Sequence, residues 1–207
     1  LRLLLICITI CFLVMGGCQN EKKPAEPSTA ALKDDFTKSY LTSSKEVEKG
    51  YYRFKSKTGG YTMLLPVQAV ISKDFGNERD EDFYEAIIYG AEIDQADVDT
   101  QIIYENKPLT AHIEENLDLL SSSSGYDGPY SESESKEIIL YKGEETDKTD
   151  DYLTYQYVGY IKAKKTNQAV HFMYGATCKK EETACQNKAE NHKDSAMKIM
   201  NSITFSE

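Results

Sequence analysis

The stretch from Tyr152 to Thr177 constrains the fold more than any other part of the 207-residue chain. Two runs, Tyr152 to Lys164 and Val170 to Thr177, are rich in aromatic and β-branched residues and are joined around Thr166-Asn167, which is the pattern of a β-hairpin. Successive side chains of a strand point to opposite faces. Val170, Phe172, Tyr174 and Ala176 therefore line one side, and Ala169, Met173 and Gly175 lie on the other with His171. A sheet that is wet on one face alternates apolar with polar more cleanly than this. Helices are expected over at least part of both sides, which makes the fold class α+β: an antiparallel sheet of about six strands flanked by helices, an α/β/α sandwich.

Other segments supply the remaining pieces. Tyr51 to Lys57 alternates as a strand, Gly59-Gly60 provides a tight turn, and Tyr61 to Leu65 returns until Pro66 stops it. Further strands are predicted at Phe83 to Tyr89, Gln101 to Glu105 and Glu137 to Lys142. Leu32, Phe36 and Tyr40 recur every fourth residue, as in a short amphipathic helix. Pro108 opens a helix with Leu109, Ile113, Leu117 and Leu120 on one face, closed by the run from Ser121 to Gly125. A last helix carries Cys185, Ala189, His192, Ala196, Ile199 and Ile203, and the chain then runs extended through Ile203-Thr204-Phe205. Strand propensity accounts for most of the fifteen tyrosines. Tyr155 and Tyr157 share a face with Leu153 and Ile161 and are expected in the core; Tyr152 and Tyr160 share the other face with Lys162 and Lys164. Tyr126 and Tyr130 sit in a Ser/Gly/Pro-rich loop from Ser121 to Ser135 and are candidate contact residues of a binding surface.

The first residues belong to a different kind of segment. Leu1-Arg2 is followed by an uncharged, mostly apolar run from Leu3 to Val14 and then Met15-Gly16-Gly17-Cys18-Gln19. As a helix that run reaches only about 18 Å, short of a hydrocarbon core of roughly 30 Å. A basic start, a short apolar run and small residues ahead of a cut site are the parts of a secretory signal. Gly16-Gly17-Cys18 resembles the lipobox of bacterial lipoproteins, with Met15 where leucine is usual. The resemblance implies cleavage before Cys18 and a diacylglyceryl group on its sulfur. The expected organisation is a signal peptide over 1–17, a lipidated cysteine and polar tether with Pro24 and Pro27 over 18–31, and one globular domain over 32–207. Leu1 points to a non-AUG start codon or a missing methionine.

Loss of Arg2 with the leader takes the formal charge from −10 to −11. Nucleic-acid binding rests largely on Lys and Arg neutralising phosphates, and no basic stripe is present, so that class is set aside. The same charge repels anionic lipid, leaving the acyl chains as the anchor. Cys7 and Cys11 leave with the leader and Cys18 is modified. Cys178 and Cys185 remain as a pair in an oxidising compartment, where a disulfide is the natural reading and two free thiols the alternative.

The hairpin Tyr51-Tyr52-Arg53-Phe54 with Gly60-Tyr61-Thr62-Met63-Leu64-Leu65-Pro66, and the ending Met197-Lys198-Ile199-Met200-Asn201-Ser202-Ile203-Thr204-Phe205, resemble the PsbP/Mog1-like fold. In layout the chain is similar to uncharacterised lipoproteins of Gram-positive bacteria. The resemblance implies binding or assembly-helper roles rather than one reaction, and a fold does not fix a function.

Several residues are of types that can carry chemistry. His171, Cys178, Cys185 and His192 stand seven apart and are all zinc-binding types. Seven residues span roughly 23 Å along a strand and roughly 10 Å along a helix, whereas zinc ligands converge within about 2.0 to 2.3 Å of one ion, so no zinc site is expected. Asp94, Asp97 and Asp99, and the run Glu144, Glu145, Asp147, Asp150 and Asp151, lack the glycine turn and closing glutamate of a calcium loop and read as solvated loops. Ser121 to Ser124 has no Gly-x-Ser-x-Gly elbow and reads as a flexible loop. No phosphate-cradling glycine loop is present, and neither a cofactor nor a catalytic set is implied. The leading reading is a non-catalytic, membrane-anchored extracytoplasmic lipoprotein that binds another envelope component or assists its assembly. A ligand-binding lipoprotein with a tyrosine-lined cleft is the first alternative, and an envelope hydrolase the second.

Overall fold

The structure is a computed structural model and describes residues 29–206. The leader, Cys18 and the polar segment as far as residue 28 lie outside the described residues. In chain order the elements are α1 (Ala30–Lys33), α2 (Asp35–Lys38), β1 (Tyr51–Lys55), β2 (Tyr61–Pro66), β3 (Val70–Ile71), β4 (Glu78–Asp80), β5 (Tyr84–Ile93) and β6 (Ala96–Asn106). A 3-10 turn (Pro108–Ala111) leads into α3 (Ile113–Ser124), followed by β7 (Ser131–Glu134), β8 (Ile138–Lys148), β9 (Tyr152–Ala163), β10 (Gln168–Lys179), α4 (Thr183–Gln186), α5 (Ala189–Asn201) and β11 (Thr204–Phe205).

The expected late hairpin is the centre of the main sheet. Strands β9 and β10 pair antiparallel with Val170 opposite Ile161 and Tyr174 opposite Tyr157. Around them the order is β3-β5-β6-β10-β9-β8-β7, with β4 also on β5, and every pairing is antiparallel. This sheet has eight strands, more than the expected six or so, and a separate three-stranded sheet runs β1-β2-β11. The short strands β3, β4 and β7, none of them expected from the sequence, account for the larger number in the main sheet. Two expected segments also behave differently. The run Glu144 to Asp147, expected as a loop, continues β8 because each of its residues pairs with β9, as Glu144 does with Tyr157 and Asp147 with Thr154. The opening hairpin pairs with the extended C-terminal piece, Thr204 opposite Thr62, and so forms its own sheet.

Both faces of the main sheet are covered, as the apolar residues on both sides of β10 require. On one face Phe54, Tyr61, Met63 and Leu65 of the small sheet, together with Ile199, Met200 and Ile203, join Ile87, Ile102, Ile161, Phe172 and Tyr174 in one buried cluster. On the other a smaller cluster of Leu120, Tyr126, Val158, Tyr160, Ala169 and Met173 lies beneath α3.

Several local expectations are corrected. The helix expected through Leu32, Phe36 and Tyr40 is two single turns, because Asp34 leaves helical geometry and caps the second, its carboxylate accepting from the Thr37 N–H at 2.7 Å. Ala31 is buried and its N–H donates to the Val67 carbonyl at 3.1 Å, so packed structure is present ahead of residue 32. Leu109, expected on the buried face of its helix, lies in the 3-10 turn and is 66% exposed. Ser121 to Ser124 form the last turn of α3 rather than a loop; Ser124 Oγ donates to the Leu120 carbonyl at 2.7 Å, and Gly125, at φ 75°, closes the helix. The last helix is broken between α4 and α5, which leaves Cys185 on the short piece.

Candidate functional site

The residues singled out in the sequence go to different places. His171 projects from β10 towards α3, its Nε2 lying 3.2 Å from Asn116 Oδ1. Asn116 Nδ2 donates to the carbonyls of Leu109 and His112, at 2.9 and 2.7 Å, so Oδ1 is the acceptor and His171 Nε2 carries the proton. Burial pushes the His171 pKa down to about 4, and the ring meets Tyr160 edge to face at 4.8 Å. Cys178 leaves the same strand on the opposite face, as an odd spacing demands. It is joined to Cys185 by a disulfide with Cα atoms 5.8 Å apart, tying the end of β10 to α4. His192 is buried on α5 with Nδ1 3.1 Å from the Tyr174 hydroxyl, and burial lowers its pKa too. The four residues do not converge. Asp94 occupies the tight turn between β5 and β6, while Asp97 and Asp99 point outward from β6. Among the described residues no group of three or more His, Cys, Asp or Glu is placed to hold a metal ion.

Tyr126 and Tyr130 meet each other edge to face at 5.2 Å, but Tyr126 is only 3% exposed. Its ring fills the space left by the missing side chains of Gly128 and Gly143, and its hydroxyl donates to the Pro129 carbonyl at 2.8 Å. The Tyr130 hydroxyl lies 3.0 Å from Ser121 Oγ. The pair fastens the loop after α3 to β8. Tyr126 also lines a cleft of about 430 Å³ together with Tyr157, Met197 and Met200, with the Lys193–Glu144 ion pair at 2.8 Å among its borders. Both partners of that pair are substantially exposed, so it contributes little to stability.

A larger opening of about 700 Å³ lies between the start of β8, the β9–β10 turn and β11. Ile138, Ala163, Ile203 and Phe205 supply its apolar surface, and Glu137 and Lys165 flank it. Strand β11 pairs only with β2, so its second edge has no strand partner among the described residues. Gln168 braces the end of this groove. Its Nε2 lies 3.0 to 3.2 Å from the carbonyls of Gly60 and Ser206 and the Tyr104 hydroxyl, which ties the small sheet to the large one. Lys162, expected on a polar face, is instead 8% exposed with its ammonium donating to the Ala163 carbonyl at 2.7 Å, and burial lowers its pKa. The groove was not foreseen. Its one trace in the sequence is the extended piece Ile203-Thr204-Phe205, and nothing local places that piece beside Ile138 and Ala163.

Residues 27–204 match the family described as "Putative lipoprotein YvcA", whose name couples YvcA with Mog1p. The chain belongs to the YvcA/Mog1p family. A Bacillus subtilis (strain 168) protein of the same description is 28% identical over 242 aligned positions, covering 99% of this chain and 96% of that protein. Both stretches that carried the resemblance to the PsbP/Mog1-like fold, apart from the final Phe205, lie inside the span matched by the YvcA/Mog1p family. Two solved structures are similar at 11% identity. The Ran-binding protein Mog1p of Saccharomyces cerevisiae has a TM-score of 0.46, covering 74% of this chain and 94% of its own. A protein of Bacteroides thetaiotaomicron VPI-5482 has a TM-score of 0.44, covering 77% of this chain, which in turn spans 50% of that protein.

Proposed function

We propose that this chain is a lipoprotein anchored through a diacylglyceryl group on Cys18 to the extracytoplasmic face of the cell membrane, where it acts as a non-catalytic module that binds another envelope component or assists its assembly. The observation that carries the binding role is the groove beside β11: apolar side chains next to a strand edge that has no partner among the described residues are the two features by which a sheet takes up an extended segment of another protein. Main-chain hydrogen bonds supply affinity in that mode and side-chain pockets supply selectivity. The disulfide between Cys178 and Cys185 suits an extracytoplasmic location.

A photo-crosslinking residue at Thr204, which is exposed on β11, tests this in cells, with the same residue at Leu119 on α3 as a control. Recurrent capture of one envelope protein from position 204 and not from 119 is expected; equal capture from both, or none from 204, sinks the binding role. Mass spectrometry of the purified product tests the anchor separately, since a mature chain that begins at an acylated Cys18 is required.

The ligand-binding reading is favoured by the cleft between Tyr126, Tyr157, Met197 and Met200, whose aromatic and thioether walls suit a small apolar molecule. Recovery of a stoichiometric small molecule from protein purified under mild conditions would move the assignment there. For a hydrolase the serine run is the obvious source of a nucleophile, yet Ser121 and Ser124 are engaged by Tyr130 and by the Leu120 carbonyl.

A further inference from the structure

Six large apolar side chains stand exposed among the described residues: Val47, Val70, Phe75, Leu109, Leu119 and Tyr152. The last three lie elsewhere in the fold, Leu109 and Leu119 before and on α3 and Tyr152 at the start of β9. The first three belong to segments that meet where the described chain begins. Thr29 Oγ1 lies 3.0 Å from the Tyr52 hydroxyl, and the Ala31 N–H donates to the Val67 carbonyl. Val67, three residues before Val70, in turn donates its N–H to the carbonyl of Gly50, three residues after Val47. Helix α2 is bonded to the same place, Thr37 Oγ1 accepting from the Ile71 N–H at 2.8 Å. The loop that follows carries Phe75, 73% exposed, and is held next to α2 by Asn77 Nδ2, which donates to the Tyr40 hydroxyl at 3.3 Å.

We infer that these segments, through the exposed Phe75, Val70 and Val47, rest in the interfacial layer of the membrane that holds the chain. The inference depends on the anchoring through Cys18 proposed above. Eleven residue steps separate Cys18 from Thr29, a reach of at most roughly 40 Å. An acylated Cys18 therefore keeps these segments within reach of lipid throughout the life of the anchored chain. At the high effective concentration that such a tether creates, a contact too weak to recruit a free protein is populated. Isolated exposed apolar side chains are ordinary on protein surfaces; the place of these three on segments bonded to the start of the described chain is what calls for a partner. Attraction is apolar rather than electrostatic, because Lys33, Lys38, Lys45, Lys49 and Lys73 in these segments are offset by Asp34, Asp35, Glu46, Glu48 and Asp74, and the whole chain is acidic. The contact is accordingly insensitive to salt.

The chain contains no tryptophan, so F75W introduces a single reporter at a site open enough to accept it. The full lipidated chain, reconstituted into phosphatidylethanolamine and phosphatidylglycerol vesicles with and without brominated acyl chains, is compared with L119W prepared in the same way. The expected result is blue-shifted F75W emission that brominated lipid reduces at least by half at low and high salt, with V47W behaving similarly and L119W unaffected. Protein that floats with the vesicles while F75W and L119W emit alike and unquenched overturns the membrane contact and leaves the anchor standing. Protein that does not float overturns the anchor and the contact together.

Discussion

His171 is a buried, neutral imidazole whose burial holds its pKa near 4, against an ordinary value of 6.5. Because the folded-state value is depressed, the stability linked to this group is fully present above pH 6.5 and is lost as pH falls towards 4, by about 3 kcal/mol in all. His192, also lowered by burial, acts in the same direction. Glu85, raised by burial, acts oppositely: its contribution is present below 4.5 and lost as pH rises through its folded value. Urea midpoints measured from pH 7 to 4 should therefore fall for the natural chain and fall less steeply for H171Q, whatever that variant loses at pH 7; parallel slopes would contradict the assignment. Gly143 gives a second residue-scale test. A Cβ there would run into the Tyr126 ring, so G143A should cost about 1 to 3 kcal/mol by urea unfolding, since the ring must move out of a filled site. These residues also mark how far a sequence can be read. Tyr155 and Tyr157 were legible because alternation along a strand fixes the face they share. Tyr126 was not, because the glycine surfaces that receive it come from its own loop and from β8, and only the folded backbone brings them together.

At the scale of elements, the long strands and α3 were legible wherever apolar residues recur with one period. The extensions of β5 and β6 were not. Their turn, Asp94-Gln95, has both residues at positive φ, 52° and 70°, yet contains no glycine to announce it, and Asp94 is held by Asn191 Nδ2 at 2.8 Å from a helix nearly a hundred residues away. The break between α4 and α5 is similar: the four-three spacing runs through it, and the disulfide fixes α4 where periodicity alone would continue a helix. Closing so short a loop constrains the unfolded chain by about 2 to 3 kcal/mol in the chain-entropy model. The C178S/C185S double variant should lose roughly that amount in chemical unfolding, with its fastest-exchanging new amides in α4 and the first turn of α5. An unchanged midpoint would mean that packing of Cys185, fully buried, holds α4 without the bond.

For the whole molecule, the two faces of the main sheet are unequally built. On one side α5 and the three-stranded sheet enclose a cluster that draws on β1, β2, β5, β6, β8, β9, β10 and α5. On the other, α3 covers a much smaller cluster, with Ile113 and Leu117 only partly buried and Leu119 exposed. The polar links between α3 with its leading turn and the strands are few: His171 to Asn116, Tyr160 to the Thr110 carbonyl at 2.7 Å, Thr110 Oγ1 to the Asn167 carbonyl at 2.6 Å, and Gln156 to the Ser124 carbonyl at 2.7 Å. Local opening is cheapest where little apolar surface must be exposed. Helix α3 should therefore detach as a unit below the free energy of global unfolding, while α5 opens only with the sheet. Native-state hydrogen exchange checks this directly: amides of α3 should exchange with a smaller denaturant dependence and at least tenfold faster than those of β9, β10 and α5. L120A, which removes the one fully buried leucine of the helix, should widen that gap without bringing α5 with it. Equal protection of both helices would show that the two faces form one cooperative unit, and that the smaller cluster is stabilised through the shared strands β9 and β10 rather than by its own area.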